Sequence, residues 1–386
     1  MDFDFTKEQK MLQDSVKEYM KKEIVPIADE YDKKGSMSKK DAHKFLKGLI
    51  PFGYLGTMVS EQDGGPGLSG VEWGIIFFEL RKAWASLGGI TGITSSMASS
   101  IARCKNEDIK KKFLQPMLNA DIIGCTGITE PNVGSDPSAI ETLAVLDGDS
   151  YVLNGTKVFI SNGTIADFMI VICLIQNSKD DISIGQLLVE RDVSPYKATE
   201  IPKLGVKAFP TSEIVFEDCR VPKENLLSMP DKGFSDIMKF LSFARCNAAI
   251  AATGIADAAF DAAVEHAKQR VQFGKPIGKF QLIQEMIADM AIEIDAAKLL
   301  TFRAFNMLDK GKDIRKESSM AKAYATEMAI RVTSKAIQVH GSYGITEEYP
   351  LERYFRDARV FTFLDGTTQI QQLIIGREIL SMSALR

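Results

Sequence analysis

The sequence predicts a mainly α-helical protein with one inserted β domain, and three changes of pattern along the chain support this class. The first part carries apolar side chains at helical spacing, interrupted by the turn-rich segment 60–67. Beyond Asp121 the pattern changes to short runs of β-branched residues, and from Gly233 onward long helical segments return. We predict an N-terminal helical domain at 1–118, a central antiparallel β-barrel domain at 119–228 and a C-terminal four-helix bundle at 229–386.

Local signals place individual elements within these domains. Thr6 and Gln9 have the spacing of a capping box at the start of a helix. In the β domain, Asn154-Gly155 is a hairpin signal. The predicted strands are 150–160, 167–174, 185–190 and 212–216. The predicted helices of the bundle are 234–270, 281–310, 317–340 and 367–380.

The composition excludes several classes of function. The chain has 386 residues, enough for two or three domains, and its 45% hydrophobic and 25% charged residues are typical of a globular protein. A net charge of −4 and a pI of about 5.7, without a basic stripe, argue against nucleic-acid binding. The apolar stretches are far shorter than a membrane span, and segment 1–5 has two acids and no apolar signal-peptide core. We therefore expect a cytoplasmic protein that binds neither membranes nor nucleic acid.

The cysteines and histidines do not indicate metal or nucleophile chemistry. The five cysteines are widely spaced without a C-x-x-C pair, which is typical of free thiols in a reducing compartment. His43, His266 and His340 do not have the spacing of metal ligands, so we expect no metal site. A G-x-S-x-G elbow is missing as well, which argues against a hydrolase.

Five segments combine glycines with hydroxyl, aromatic or charged side chains in patterns that suit a ligand. Glycines let the backbone approach a planar ligand, an aromatic and a hydroxyl two residues apart share one face of a strand, and an arginine can bind a pyrophosphate. Each segment alone also has an ordinary explanation as a turn, a core aromatic or a helix-end cation. The segments are 127–136, 159–163, 270–276, 338–345 and 364–370.

Taken together and in this order, the five segments resemble the acyl-CoA dehydrogenase family. Glu130-Pro131 with Gly134-Ser135-Asp136 is similar to the family's first signature, and 338–344 with Arg353 and Asp357 is similar to its second. The resemblance covers essentially the full length and agrees with the predicted order of helical, β and helical domains. It implies FAD as cofactor, an acyl-CoA substrate, an electron-transferring flavoprotein as electron acceptor, and a homotetramer with FAD between two subunits.

The resemblance also implies roles for individual residues. The implied cofactor-binding residues are Ile128, Thr129, Ser135, Phe159, Ser161, Arg270, Phe273, Gln281, Gln338, Gly341, Ser342, Thr367 and Gln369. The implied substrate-binding residues are Ser135, Ser242, Arg245 and Gly366. Family members with linear substrates often carry an acid at the position of Ser242, so the contact with the CoA portion differs here.

Asp365 is the implied catalytic base, at a position where the family most often has a glutamate. Some members carry the base immediately before the arginine of the long helix, but that position is Ala244 here. Aspartate is one methylene shorter than glutamate, a difference in reach of about 1.5 Å, and a misplacement of about 1 Å can cost on the order of a hundredfold in rate. A ring or α-branched acyl group would use the vacated space. Dehydrogenation of cyclohexane-1-carboxyl-CoA to cyclohex-1-ene-1-carboxyl-CoA fits this reasoning.

Three functions stay open on the sequence alone. In the first, Asp365 removes the α-proton of a cyclic or α-branched acyl-CoA. In the second, the protein performs related flavin chemistry on acyl-CoA, such as 1,4-elimination, desulfination or enoyl-CoA reduction. In the third, it binds flavin and acyl-CoA with little turnover.

Overall fold

A computed structural model describes residues 4–227 and 230–384 of the chain. Helices come first, strands follow and helices return, which confirms the predicted fold class. The proposed domain limits at positions 1, 228, 229 and 386 lie outside the described residues, as does most of segment 1–5.

The N-terminal domain is built from α1 (Lys7–Tyr19), α2 (Ala28–Lys34), α3 (Lys39–Leu49), α4 (Gly70–Ala83), α5 (Ala85–Ala102) and α6 (Glu107–Leu118). The predicted capping box is present at α1, because the Thr6 side chain accepts from the Gln9 backbone N–H and the Gln9 side chain accepts from the Thr6 N–H. Trp73 on α4 is buried and stacks on Phe77, with ring centres 4.0 Å apart. The α4 and α5 helices are therefore core helices rather than surface helices.

The β domain is a mixed sheet, which corrects the prediction that its strands are all antiparallel. Its strands are β1 (Gly124–Gly127), β2 (Leu143–Asp147), β3 (Ser150–Ser161), β4 (Phe168–Ser178), β5 (Asp181–Glu190), β6 (Lys197–Glu200) and β7 (Thr211–Pro222). The order is β1-β4-β2-β3-β7-β6, with β5 on the other side of β4, and both β1 and β2 pair with β4 in parallel. The prediction assumed that successive strands pair, but the β2–β3 hairpin lies within the crossover between β1 and β4.

Asn154-Gly155 does not form a hairpin turn, contrary to the sequence signal. Both residues lie inside β3, where the pairing with β7 shifts register at Gly155. Gly155 has φ of 144°, and a Cβ there would lie 2.7 Å from Thr142 Oγ1. The glycine therefore serves a bulge and a close approach of two strands.

The C-terminal domain contains α7 (Pro230–Gln269), β8 (Val271–Gln272), β9 (Lys275–Pro276), α8 (Gln281–Asp309), α9 (Arg315–His340), α10 (Leu351–Val360) and α11 (Thr368–Leu380). The four long helices agree with the prediction, and α10 is an additional short helix. Buried alanines such as Ala252 and Ala256 on α7 and Ala325 and Ala329 on α9 share one core cluster. Small side chains allow close helix packing, and α7 also packs on α4 of the N-terminal domain.

Among the helices that the structure describes, none has the length and apolar character needed to cross a membrane.

Candidate flavin and substrate site

A buried ion pair joins the first two predicted segments. Lys157 on β3 lies 2.6 Å from Glu130, which follows β1, and the two side chains are 0% and 2% exposed. Lys157 Nζ also donates to the carbonyl oxygen of Ile128 at 3.0 Å. The Val158 N–H donates to the carbonyl oxygen of Thr129 at 2.9 Å. These contacts hold the two segments side by side.

An exposed aromatic ring lies close to two hydroxyl groups near the end of β3. Phe159 is 63% exposed and has φ of 59°, a left-handed conformation that a phenylalanine rarely adopts. Thr129 and Ser161 are half-buried, and in residues 4–227 and 230–384 neither hydroxyl has a hydrogen-bond partner. Strained residues of this kind cluster at ligand sites. The surface offers one ring and two hydroxyl groups to a planar heteroaromatic ligand.

A second surface lies where α7 and α9 end, and it brings the third and fourth segments together. The Arg270 guanidinium lies 5.7 Å from the centre of the Tyr343 ring. The tight turn between β8 and β9 presents Phe273 with φ of 51° and a ring that is 92% exposed. The other predicted residues of this surface, all exposed, are Gln338, Gly341 and Ser342.

The loop between α10 and α11 presents Asp365 in a left-handed conformation with φ of 53°. Gly366 follows with φ of 91°, and a Cβ there would lie 2.7 Å from Gln371 Nε2. The buried Gln371 donates from Nε2 to the carbonyl oxygens of Asp365 at 3.2 Å and Gly366 at 2.9 Å. The hydroxyl of Thr367 caps α11 by accepting from the Ile370 N–H. In the described chain the Asp365 N–H has no hydrogen-bond acceptor, so it is available to a ligand.

Three buried cations act on the Asp365 carboxylate, namely Lys322 on α9, Arg245 on α7 and Arg81 on α4. Although the residue is partly exposed, protein surrounds its carboxylate, so burial raises the pKa of Asp365 while the three cations oppose the rise. Burial also lowers the pKa of Arg81 to about 9 and that of Lys322 to about 8, and Asp365 opposes both shifts. The Asp365 carboxylate therefore lies in a positively charged interior.

Sequence reasoning identifies Arg245 but misses Arg81 and Lys322. A charged residue in a periodic helix is ordinarily assigned to the solvent face. Arg81 follows an apolar run in α4 and is 4% exposed, and Lys322 stands among small residues of α9 and is 0% exposed. A lone cation within an otherwise apolar helix face is the signal that could have found them.

A cavity of about 470 Å³ lies between α5, the β domain and α7. Hydroxyl groups of α5 and apolar side chains share its wall, and Ile128 and Phe243 are part of it. Asp365 is not in this wall, but Arg245, on which it acts, is two residues from Phe243 along α7. The α5 residues of the wall include Ser95, Ser96, Ser99 and Ser100.

The structure does not bring four predicted residues into these contacts. Ser135, Gln281 and Gln369 are exposed near the start of their respective loop or helices. Ser242 is buried, and its hydroxyl donates to the Met238 carbonyl oxygen at 3.1 Å, so Phe243 rather than Ser242 lines the cavity.

The residues that are present fit FAD. Phe159 and the unpartnered hydroxyls of Thr129 and Ser161 suit the ring system, and the exposed guanidinium of Arg270 suits a pyrophosphate. In the described residues no cluster of histidine, cysteine, aspartate and glutamate side chains could hold a metal ion. The fold and these surfaces are those of a flavoprotein.

Sequence comparison identifies the family. Profiles described as the N-terminal, middle and C-terminal domains of acyl-CoA dehydrogenase match residues 6–121, 125–219 and 231–380. The chain belongs to the acyl-CoA dehydrogenase family. Membership confirms an oxidoreductase with this family's fold and FAD as its cofactor.

Several relatives extend over nearly the whole chain. The short-chain specific acyl-CoA dehydrogenase of Clostridium acetobutylicum is 36% identical and covers 98% of this chain and 100% of its own. A subunit of the caffeyl-CoA reductase–Etf complex of Acetobacterium woodii is 36% identical, with 97% and 99% covered. The structure of butyryl-CoA dehydrogenase from Megasphaera elsdenii superimposes with a TM-score of 0.92 at 36% identity, covering 98% of this chain and 100% of its own.

Proposed function

We propose that this enzyme removes a proton and a hydride from neighbouring carbons of an acyl-CoA thioester, with Asp365 as the base. The placement of the Asp365 carboxylate among Lys322, Arg245 and Arg81 carries the proposal. An α-proton beside a thioester is weakly acidic, so its removal requires a base that stays ionised in an enclosed site. Opposite charges favour the ionised carboxylate, whereas burial makes it a stronger base.

The chain's own groups can be assigned to the reaction. An Asp365 carboxylate oxygen takes the α-proton, and the Asp365 N–H donates to the thioester oxygen as negative charge develops there. FAD, when bound, supplies the hydride acceptor. Phe159, Thr129 and Ser161 would hold the ring system of the cofactor, and Arg270 would hold the pyrophosphate of a neighbouring subunit's FAD.

For the acyl group, we propose a cyclic or α-branched structure such as cyclohexane-1-carboxyl-CoA. The reason is steric, because aspartate reaches about 1.5 Å less far than glutamate. A tertiary α-carbon on a bulky group would sit closer to the carboxylate. The names of two relatives, a short-chain specific acyl-CoA dehydrogenase and a butyryl-CoA dehydrogenase, instead favour a short acyl group. Flavin bleaching by a panel of acyl-CoA thioesters distinguishes the two.

The decisive experiment is anaerobic flavin bleaching by a panel of saturated acyl-CoA thioesters. We expect bleaching by cyclohexanecarboxyl-CoA and α-branched thioesters to exceed bleaching by butyryl-CoA. Asp365→Asn should abolish it, whereas Asp289→Asn on the exposed face of α8 serves as the matched control. Asp365→Glu should shift preference toward straight chains. Preference for butyryl-CoA in the unmodified enzyme would defeat the ring proposal, and full bleaching in Asp365→Asn would remove Asp365 from the mechanism.

Enoyl-CoA reduction is a second candidate, favoured by the similarity to the caffeyl-CoA reductase subunit. The same site would then run in reverse, with Asp365 returning a proton to the α-carbon. Equilibration of enzyme, saturated and unsaturated thioester with a redox dye would establish the direction. The remaining alternatives, 1,4-elimination, desulfination and low-turnover binding, would appear in this panel as different products or no product.

The assembly, the electron acceptor and the compartment are also proposals. Exposed apolar side chains at Phe273 and along α8, at Leu282, Ile292 and Leu299, support a homotetramer in which Arg270 and Phe273 reach a neighbour's FAD. An electron-transferring flavoprotein would accept the electrons, and the five free cysteines agree with a cytoplasmic location. Light scattering should give four times the 42.6 kDa mass of the chain, and a monomer would contradict this assembly.

A further inference from the structure

Phe361 is held from two sides at the start of the loop that carries Asp365. It follows the last residue of α10 and is 4% exposed. Its carbonyl oxygen accepts a hydrogen bond from Lys322 Nζ at 3.1 Å. Its ring lies beside the Arg81 guanidinium, with 5.8 Å from Arg81 Cζ to the ring centre. Phe361 is therefore bound to α9 through its backbone carbonyl and packs against α4 through its ring.

The guanidinium of Arg81 is turned entirely toward protein. One terminal nitrogen donates to the Ala85 carbonyl oxygen at 2.9 Å, and the other donates to Asn247 Oδ1 at 3.1 Å. A Cβ at Gly88 would lie 2.7 Å from Arg81 Nε, so that nitrogen faces the backbone of α5. Arg81 Nε has no hydrogen-bond partner among the described residues, but it is buried. The carboxylate that acts on the charge of Arg81 is Asp365.

Lys322 on α9 is a second buried cation that contacts the same loop. Its hydrogen bond goes to a backbone carbonyl rather than to a carboxylate, and Asp365 and Glu327 are the acids that act on its charge. Burying a cation without a paired carboxylate is unfavourable. Two such cations directed at one loop indicate a shared role.

Among the described residues, the charges that act on Asp365 or on its neighbouring cations come from four helices, α4, α7, α9 and α11. Arg81, Arg245 and Lys322 act electrostatically on Asp365. Arg245 is in turn affected by Arg315 and Arg377, which are both cations. Glu327 acts on Lys322, so Asp365 is the carboxylate common to all three cations.

We propose that Arg81 and Lys322 are positioning residues for the base: they clamp Phe361 and place two fixed positive charges beside the Asp365 carboxylate. The proposal rests on the role of Asp365 as base. Neither residue touches the substrate. They fix the conformation of the loop between α10 and α11 and keep the Asp365 carboxylate ionised when the site is enclosed.

The test uses the yellow holoenzyme and two readouts. The first is the pH dependence of anaerobic flavin bleaching by a saturated acyl-CoA. In Arg81→Met and Lys322→Met, the acid limb of the plot of bleaching rate against pH should move upward by about one pH unit. Each variant removes a positive charge near the Asp365 carboxylate. The rate one unit below the wild-type midpoint should fall about tenfold, with the high-pH plateau less affected. The charge-conserving variants Arg81→Lys and Lys322→Arg should restore the limb.

The second readout is amide hydrogen exchange of segment 361–367, which needs no turnover. Lys322→Met should accelerate exchange there, because the Phe361 carbonyl loses its anchor. Two variants serve as matched controls. Lys82→Met changes the residue next to Arg81, which is paired with Asp257 and Asp261. Lys335→Met changes a lysine of α9 that is paired with Asp289. Both should retain the wild-type limb and exchange.

Separate outcomes address the two levels of the argument. If the wild-type enzyme bleaches but Arg81→Met and Lys322→Met keep its acid limb and its exchange rates, the positioning role is wrong and Asp365 can still be the base. If no acyl-CoA bleaches the wild-type enzyme, the proposed function fails, while hydrogen exchange still tests the clamp. If Arg81→Met does not accumulate as holoenzyme, Lys322→Met and its charge-conserving counterpart Lys322→Arg decide the result.

Discussion

Replacing Lys157 by methionine would expose how strongly the flavin surface depends on one buried ion pair. Lys157→Met keeps the unbranched stem but removes the charge 2.6 Å from Glu130. It also removes the donor to the Ile128 carbonyl oxygen. Two segments that we assign to FAD binding would then lose their main link.

The magnitude follows from the remaining contacts. Breaking a buried ion pair by removing one partner costs about 3–5 kcal/mol. The lower end applies here, because Glu130 still accepts from the Glu141 N–H at 2.7 Å and the Thr142 N–H at 2.9 Å. The unpaired Ile128 carbonyl adds about 1 kcal/mol. We expect a loss of about 3–4 kcal/mol in the free energy of unfolding of the β domain.

The loss should depend on pH. Burial raises the pKa of Glu130, but hydrogen bonds from Lys157, Thr142 and Glu141 outweigh burial, so the folded-state pKa lies below its ordinary value. A depressed carboxylate pKa contributes stability that is present above about pH 4.5 and is lost as the pH falls through the folded-state pKa. The difference between wild type and Lys157→Met should therefore be full at pH 7 and shrink in acid.

Urea unfolding followed by circular dichroism at pH 7 and at lower pH would measure this difference. A double-mutant cycle with Glu130→Gln isolates the coupling between the two side chains. A loss below about 1 kcal/mol, the value of an exposed pair, would refute the reasoning. A cycle without coupling would show that the pair contributes only through its other hydrogen bonds.

Three further predictions concern Gly366 in the loop between α10 and α11, Phe273 in the turn between β8 and β9, and the pair His266 and His340. Gly366→Ala should lower the free energy of unfolding, measured in urea, by about 1–3 kcal/mol, because the φ of Gly366 is 91° and the new Cβ would meet Gln371. It should also slow flavin bleaching. Unchanged bleaching would contradict this prediction. Phe273→Ser should leave stability within about 0.5 kcal/mol, since the ring is 92% exposed, yet lower the tetramer fraction in light scattering. Burial lowers the pKa values of the stacked His266 and His340, so the enzyme should lose stability as the pH falls below about 6.5. The loss should be smaller in His266→Phe. Thermal midpoints at pH 7.5 and 5.5 would measure both losses.

The order of domains was predictable because it depends on periodicity, whereas the strand pairing was not. Long helices such as α8 and α9 repeat apolar positions over many turns, and the capping box at Thr6 is a local signal. The strand β1 has only four residues, Gly-Cys-Thr-Gly, without a β-branched run, and its parallel pairing with β4 spans a long crossover. No local pattern encodes such a partner.

The family resemblance named Asp365 and Arg245 as candidates, but no motif in the sequence indicated the other charges that act on Asp365. Asp365 and Arg245 stand in recognisable segments, but Arg81 is far from them in sequence and joins the site only because α4 packs on α7. Arg81 is buried by tertiary packing, whereas helical periodicity alone would place its side chain on the solvent-facing side of α4. Lys322 is hidden in the same way among the small residues of α9.

The short side chain of Asp365 and the clamp on Phe361 address one physical requirement. Aspartate has one rotatable bond fewer than glutamate, so the position of its carboxylate depends more directly on the backbone. The left-handed φ of 53° makes that backbone costly to hold, and the contacts of Phe361 and Gln371 hold it. Asp365→Glu should therefore change acyl preference without moving the acid limb, because the surrounding charges stay in place. Arg81→Met should move the limb without changing acyl preference, and the two variants together separate reach from charge.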